Sequence, residues 1–161
     1  MSEQRRIPII EQRRIEANVL ASVYEALKAR RGEAEARSVI GDAVTRAAIR
    51  QGESFADELD HPADFTDFSA ILPNWTAGGA LEMTVLEEGP ETLSFNVTRC
   101  RYAEMYRAMG LGDIGDLLSC NRDGAFCEGF NPKMKLSRTQ TIMSGASHCD
   151  FRYSMEDEAA Q

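Results

Sequence analysis

The chain is organised around the stretch Leu117-Leu-Ser-Cys-Asn-Arg-Asp-Gly-Ala-Phe-Cys-Glu-Gly-Phe130. Helical spacing over this stretch puts three reactive residues on one side, namely Cys120, Asp123 and Cys127. An apolar stripe falls on another side and consists of Ile114, Leu118 and Ala125. The spacing therefore predicts a helix that packs on a core and presents reactive groups to a cleft.

Two long helices are predicted before this stretch. The first covers residues 8–31, where Pro8 suits the first turn, and the second covers residues 33–51, between the stop signals Gly32 and Gly52. Their predicted inner stripes are Ile15, Val19, Ser22, Val23 and Leu27, then Ala36, Val39, Ile40, Ala43, Val44, Ala47 and Ala48. Several arginines between the stripes are predicted to be solvated, among them Arg13, Arg14, Arg37 and Arg50. The two helices should pair in antiparallel fashion.

The period of the sequence changes from helical to alternating after Gly78-Gly79. The elements predicted from there on are strands at 81–86 and 93–98, helices at 101–109 and 113–128, and strands at 136–143 and 149–153. Gly129 is the predicted stop of the helix that ends at Glu128. Turns are predicted at 87–91 and 144–147, which makes each strand pair a hairpin.

This element order predicts an α+β fold in a single domain, residues 1–161. An N-terminal helical hairpin is followed by a four-stranded antiparallel sheet with helices packed on one face. Residues 1–75 form the mainly helical part, and residues 76–155 form the strand-strand-helix-helix-strand-strand part. Trp75 is predicted either to wall a pocket or to lie in the core. The acidic tail, residues 156–161, is predicted to be frayed.

The composition is that of a soluble globular protein and argues against several function classes. The chain has 161 residues, of which 27% are charged and 43% hydrophobic, and its net charge is -8. We expect no nucleic-acid partner, because phosphate binding needs clustered Lys and Arg. We also expect no membrane span and no secretory signal, hence a cytoplasmic location with four free thiols. No cofactor is predicted, and homo-oligomerisation stays open.

The residue types of the central stretch suggest acid/base or thiol chemistry. Cys120 lies early in the predicted helix and near Arg122, and both features favour the nucleophilic thiolate. The alternative is that Cys120 is buried and packs as a small apolar side chain. Asp123 and Glu128 form an acid/base pair if they share a cleft, and are merely solvated on a surface helix. His148 is either a general acid or base or a surface residue in a turn.

Metal and serine-based chemistry are disfavoured by the spacing. Structural zinc sites present paired ligands such as Cys-x-x-Cys, and the adjacent His148-Cys149 is the closest approach to such a pair. The sequence contains no Gly-x-Ser-x-Gly element. We therefore predict no metal site and no serine-histidine triad.

Five motifs follow one another in the carboxy-terminal half. They are Thr98-Arg-Cys-Arg-Tyr-Ala-Glu-Met-Tyr-Arg107, Leu118-Ser-Cys-Asn-Arg-Asp123, Glu128-Gly-Phe-Asn-Pro132, Arg138-Thr-Gln-Thr-Ile-Met143 and His148-Cys-Asp-Phe-Arg-Tyr153. Together, over about residues 80–153, they resemble the L-2-amino-thiazoline-4-carboxylic acid hydrolase family. The resemblance implies a small-molecule substrate and hydrolysis of a C–N or C–S bond in a small cyclic amidine, thioimidate or amide.

The resemblance also implies which residues form the site. The family's Cys-x-Tyr, Cys-x-x-Asp, Glu-Gly-Phe-Asn and Cys-Asp-Phe patterns fall here on Cys100, Tyr102, Cys120, Asp123, Glu128 and Cys149. Cys127 belongs to none of these patterns and is interpreted as packing. A substrate carboxylate would pair with one of three arginines, Arg101, Arg122 or Arg138, because a guanidinium offers it two parallel donors.

Two mechanisms fit these assignments. In the first, Cys120 attacks the electrophilic ring carbon, Asp123 or His148 moves the proton, and Glu128 activates the water that resolves the intermediate. In the second, water attacks directly with Asp123 and Glu128 as the acid/base pair. A weaker resemblance, from Gly145 to Phe151, is to four-vinyl-reductase-type domains and implies the alternative of a noncatalytic small-molecule-binding or sensing domain.

Overall fold

The computed structural model describes residues 7–156, so residues 157–161 of the predicted frayed tail lie outside the described residues. The helices are α1 (Ile9–Arg31), α2 (Glu33–Ala56), α3 (Phe65–Ile71), α4 (Pro73–Thr76), α5 (Arg101–Ala108) and α6 (Arg122–Phe130). The strands are β1 (Leu81–Glu88), β2 (Thr92–Cys100), β3 (Met134–Ser137) and β4 (Cys149–Met155). The predicted α+β fold, a helical hairpin followed by a four-stranded antiparallel sheet, is confirmed. None of the described helices combines the length and apolar character needed to cross a membrane.

The predicted inner stripe of α1 is wrong. Ile15, Val19 and Val23 are 55%, 62% and 42% exposed, and of that stripe Leu27 alone packs against the core. The buried face of α1 consists instead of Ile9, Arg13, Ala17 and Tyr24. Apolar periodicity does not indicate this row, because the row contains the charged residue Arg13. In α2 the predicted stripe is buried at Ala36, Ile40, Val44 and Ala48, but the predicted members Val39 and Ala43 are exposed and Ala47 is half-buried.

Gly52 and Gly129 are not helix stops, because α2 and α6 each continue past their glycine. A Cβ atom at Gly52 would collide with the carbonyl oxygen of Phe126, and one at Gly129 would collide with the carbonyl oxygen of Ile49. The backbones of α2 and α6 therefore touch at two points where no side chain fits. This contact fixes α6 against the helical hairpin.

The sheet has the strand order β1-β2-β4-β3 with every neighbouring pair antiparallel. Alternation along the two central strands buries one face, which carries Leu93, Phe95, Val97, Cys149, Phe151 and Tyr153. Phe95 stands opposite Phe151 in the register, and their rings stack with centroids 4.8 Å apart. The inner face of the sheet is thus an aromatic floor with one thiol, Cys149, near its end.

The central stretch is not one continuous helix. A π-helical turn covers Asp116–Cys120, and α6 starts only at Arg122. The amide of Asn121 donates to the carbonyl oxygen of Asp116 at 2.9 Å, a bond across five residues. Turns of this kind occur often at functional sites, because the additional residue changes the direction in which the neighbouring side chains face.

The third strand starts two residues earlier than predicted and ends six residues earlier. β3 ends at Ser137, and the chain from residue 138 to residue 148 is a loop. Side chains of β4 accept the backbone amides of this loop: Asp150 accepts those of Thr139 and Gln140, and the sulfur of Cys149 accepts that of Ile142. These bonds replace the strand ladder that the alternating sequence predicts.

Candidate functional site

A cavity of about 100 Å³ lies between the aromatic floor of the sheet and the helices. Its apolar lining consists of Phe68, Leu72, Trp75, Leu81, Met83, Phe95, Val97, Phe126, Phe151 and Tyr153. Its polar or thiol lining consists of Arg13, Gln51, Cys100, Tyr102, Ser119, Cys120, Arg122, Asp123, Arg138 and Cys149. An apolar cavity of about 150 Å³ holds one benzene molecule, so the space here, about two-thirds of that volume, admits at most one small ring.

The π-helical turn and the first turn of α6 build one wall of the cavity. Ser119 and Cys120 line it from the end of the π-helical turn, and Asp123 lines it from α6. Asn121 anchors the junction, because its side-chain amide donates to the carbonyl oxygen of Gly41 on α2 at 3.2 Å. The structure therefore brings Cys120 and Asp123 to one cavity, as their spacing suggests, but through a break in the helix.

Three thiols line the cavity, and burial raises the pKa of each. Burial and the nearby Asp123 carboxyl raise the pKa of Cys120 to about 12. Burial raises the pKa of Cys100 to about 11 and also raises that of Cys149. These thiols are neutral near pH 7, so the expectation that its surroundings favour the Cys120 thiolate is wrong. Cys127 is fully buried in the core and does not line the cavity.

Asp123 and Arg138 form an ion pair in the cavity wall. Arg138 donates to the Asp123 carboxylate at 2.6 Å and to the Cys120 carbonyl oxygen at 3.1 Å, and its guanidinium lies 5.0 Å from the centre of the Phe151 ring. Burial raises the pKa of Asp123, and Arg138 opposes this without cancelling it. Burial alone would lower the pKa of Arg138, but Asp123 outweighs that effect and the net shift is upward.

A second charged group extends the polar end of the cavity and joins α1 to α6. Arg13 and Arg122 are 4% and 9% exposed, and both donate to the carboxylate of Glu16, at 3.2 Å and 2.8 Å. Burial, reinforced by the charge of Arg13, lowers the pKa of Arg122 to about 10, against the opposing effect of Glu16. Arg13 also donates to Gln51 of α2 at 3.2 Å.

The cavity lining includes three residues that no sequence motif indicates, namely Arg13, Gln51 and Ser119, and Arg13 was predicted to be solvated. The signal for Arg13 was its spacing, because it lies four residues from both Ile9 and Ala17 on the buried face of α1. Gln51 and Ser119 carry no comparable signal. Trp75, for which two interpretations were open, walls the cavity.

Three predicted site residues lie away from the cavity. Glu128 is exposed on α6. It follows Asp123 by five residues, which places the two side chains about 140° apart around the helix axis. His148 precedes the inward-facing Cys149, so strand alternation turns it outward, where it contacts Ser147 and Gln140. Arg101 is exposed and donates to the carbonyl oxygen of Gly78 at 3.2 Å. The water-activating role given to Glu128 therefore has no geometric support.

Tyr102 and Cys100 lie at the cavity as their motif suggests. The Tyr102 hydroxyl donates to the carbonyl oxygen of Trp75 at 3.0 Å, which holds the tryptophan segment against α5. The Cys100 sulfur accepts the amide of Ala103 at 3.4 Å and thereby caps the same helix. Between residues 7 and 156, no group of three or more His, Cys, Asp or Glu side chains is placed to hold a metal ion.

Fold and cavity together define an α+β domain built around a small, mainly apolar pocket with a charged end. The model of the L-2-amino-thiazoline-4-carboxylic acid hydrolase family matches residues 12–153, and the chain belongs to this family. No curated protein matches the chain. Among solved structures, it is similar to the phenol-responsive sensory domain of the transcription activator PoxR with phenol, with a TM-score of 0.54. The two chains are 15% identical over 86% of this chain and 73% of the other, which is a similarity of fold.

Proposed function

We propose that this chain binds a small cyclic acid in the cavity, and that it does so as a binding or sensing domain without turnover. The proposed ligand is a five- or six-membered ring that carries one carboxylate or similar acidic group. The proposal rests on one observation, an excess of positive charge at the polar end of an otherwise apolar cavity.

Three guanidinium groups line the polar end, those of Arg13, Arg122 and Arg138. The carboxylates paired with them are Glu16 and Asp123, so one positive charge is left over in this group of described side chains. Burial strengthens electrostatic interactions and makes an uncompensated charge costly. An acidic group of the ligand would neutralise this charge, and a guanidinium is suited to bind it through two hydrogen bonds.

The rest of the cavity favours a ring. Its floor includes the stacked pair Phe95 and Phe151, and Trp75 forms part of a side wall. Flat apolar surfaces of this kind bind planar rings with little loss of conformational freedom. The similar sensory domain is described as phenol-responsive, and phenol is a ligand of this size.

The chemistry of the lining supports binding over thiol catalysis. The cavity thiols are held neutral, and neither Glu128 nor His148 reaches the cavity to serve as a base. A cysteine that attacks a ring carbon needs its thiolate form at working pH. Attack by Cys120 is therefore the less favoured of the two mechanisms.

A hydrolase is the second candidate, and two observations favour it. The chain belongs to a family named for hydrolysis, and Asp123, whose pKa is raised, stands in the cavity wall beside Cys120. In this case Asp123 takes a proton from a water whose oxygen adds to the electrophilic ring carbon. The same carboxyl group returns the proton to the leaving nitrogen or sulfur.

The test is binding and turnover measured on the same preparation. Trp75 is the single tryptophan and lines the cavity, so its fluorescence reports occupancy. We expect benzoate to bind roughly 10- to 100-fold more tightly than benzamide, since a charge-assisted hydrogen bond contributes about 1.5–3 kcal/mol. Equal affinities of the two compounds, or no response of Trp75 to either, would contradict the proposal.

The Arg13→Met variant should lose the preference for benzoate. Arg50→Met is the matched control, because Arg50 is an exposed arginine of α2 outside the cavity. Turnover is tested by incubating the protein with 2-amino-thiazoline-4-carboxylate and following ring opening by NMR. Ring opening that survives Cys120→Ser and disappears in Asp123→Asn would favour the hydrolase instead.

A further inference from the structure

A hydrogen bond joins the side chain of Ser119, a residue that lines the cavity, to the side chain of Tyr106. The two hydroxyl oxygens are 2.5 Å apart. Ser119 lines the cavity, whereas Tyr106 is fully buried on α5 and is not part of the lining. Each hydroxyl can donate one hydrogen bond, so the direction of the bond between them decides where the remaining hydrogen points.

The burial of Tyr106 decides the direction of this bond. If Ser119 donated to Tyr106, the phenol hydrogen would need another acceptor, and the described residues offer it none. An unsatisfied buried donor costs about as much free energy as a lost hydrogen bond or more. Burial also raises the pKa of Tyr106, so the phenol keeps its hydrogen at neutral pH. Tyr106 is therefore the donor and Ser119 the acceptor.

The hydrogen of Ser119 is then free to donate into the cavity. A helical serine can donate its hydroxyl hydrogen to the carbonyl oxygen four residues earlier, but among the described residues Ser119 has Tyr106 as its hydrogen-bond partner and makes no such bond. Ser119 sits in the π-helical turn Asp116–Cys120, where the normal register of the helix is interrupted. The serine thus offers a donor that the protein itself does not use.

We propose that Ser119 donates a hydrogen bond to an acceptor atom of the ligand, and that Tyr106, acting through Ser119, fixes the direction of this donor. The inference rests on the proposed function and narrows its ligand class to rings that carry an oxygen or an unprotonated nitrogen in addition to the acidic group. Ser119 is a specificity-determining residue in this arrangement, and Tyr106 is a positioning residue.

The experiment compares benzoate with the three pyridinecarboxylates, which have the same charge and nearly the same shape but carry one ring acceptor. In Ser119→Ala, at least one pyridinecarboxylate should bind about threefold to tenfold more weakly, the range of one neutral hydrogen bond. Benzoate affinity should change less than about twofold, since benzoate has no ring acceptor to lose. Comparing each ligand with itself removes the difference in hydration between the rings.

Two further variants separate a specific role from general damage to the fold. Ser119→Thr keeps the hydroxyl and should preserve the ratio of pyridinecarboxylate to benzoate affinity. Tyr106→Phe should lower that ratio, whereas a merely structural effect would weaken all four ligands alike. If benzoate binds and Ser119→Ala affects all four ligands equally, the inference is wrong while the proposed function stands. If none of the four acids binds the wild-type protein, the proposed function itself fails.

Discussion

Replacing Arg138 by methionine should destabilise the protein more at pH 8 than at pH 5. Arg138 donates to Asp123 at 2.6 Å, and the two side chains are 16% and 32% exposed. Burial already raises the pKa of Asp123 against the effect of Arg138, so removing the guanidinium raises that pKa further. In Arg138→Met the native state therefore keeps the Asp123 carboxyl protonated at pH values where the unfolded chain has released that proton. The pKa of this carboxyl in the unfolded chain is about 3.9.

The sign of the pH dependence follows from this difference. Where the native state holds more protons than the unfolded state, stability falls as pH rises, from the unfolded pKa up to the native one. Each additional unit of native pKa contributes about 1.4 kcal/mol of this loss. Asp123→Asn should behave differently, because it leaves Arg138 charged and unpaired at every pH, at a cost of about 2 kcal/mol.

Urea unfolding followed by Trp75 fluorescence at pH 5 and pH 8 measures both effects. The double variant Asp123→Asn/Arg138→Met should be less destabilised than the sum of the singles, since neither charge is then left buried alone. Arg50→Met controls for the loss of a surface arginine. A penalty for Arg138→Met that is equal at both pH values, or single effects that simply add, would refute this account of the pair.

Three further predictions concern packing and thiol reactivity. Gly129→Ala should cost about 3 kcal/mol or more in thermal unfolding, because its Cβ collides with the backbone of α2, whereas Gly124→Ala in the same helix meets no neighbouring atom and should gain about 0.5–1 kcal/mol. Ser69→Ala should leave the free energy of unfolding unchanged or raise it by about 1 kcal/mol, because the buried hydroxyl of Ser69 has no hydrogen-bond partner among the described residues. A clear loss of stability in urea unfolding would show that a partner exists. Cys120 should react with iodoacetamide at pH 8 at least roughly tenfold more slowly than a cysteine in an unfolded peptide. Mass spectrometry measures the rate of this reaction as a function of pH. A rate that rises through an inflection near pH 7 would contradict a Cys120 pKa of about 12.

The elements that local periodicity controls could be predicted from the sequence. β2 and β4 bury the residues that their spacing indicates, and α2 buries four of its seven predicted stripe residues, because each element has one clearly apolar face. α1 has two apolar rows, and the choice between them is made by packing against the rest of the fold. The row with Arg13 is the buried one, since Glu16 and Gln51 satisfy the guanidinium in the folded state. No rule based on neighbouring residues reveals that arrangement.

The candidate site could be predicted only as far as its residues lie in one stretch. Cys120 and Asp123 line the cavity together, but the π-helical turn that aims them has no signature in the sequence. The prediction that Cys120 favours its thiolate form was wrong because it considered only the position of Cys120 in the helix and the nearby Arg122. Arg122 is turned away to Glu16, and burial dominates the pKa of Cys120. Both facts depend on tertiary contacts, which set the local dielectric.

The charged end of the cavity is assembled from three separate parts of the chain. Arg13 comes from α1, Arg122 from α6, and Arg138 from the loop that follows β3, and the ion pair between Arg122 and Glu16 spans 106 residues of sequence. An acidic group bound among these guanidiniums would therefore contact the helical hairpin and the sheet side at once. Binding that requires all three segments in place stabilises their mutual packing by linkage. If the proposed ligand binds there, its occupancy would stabilise the packing of the N-terminal hairpin against the rest of the fold.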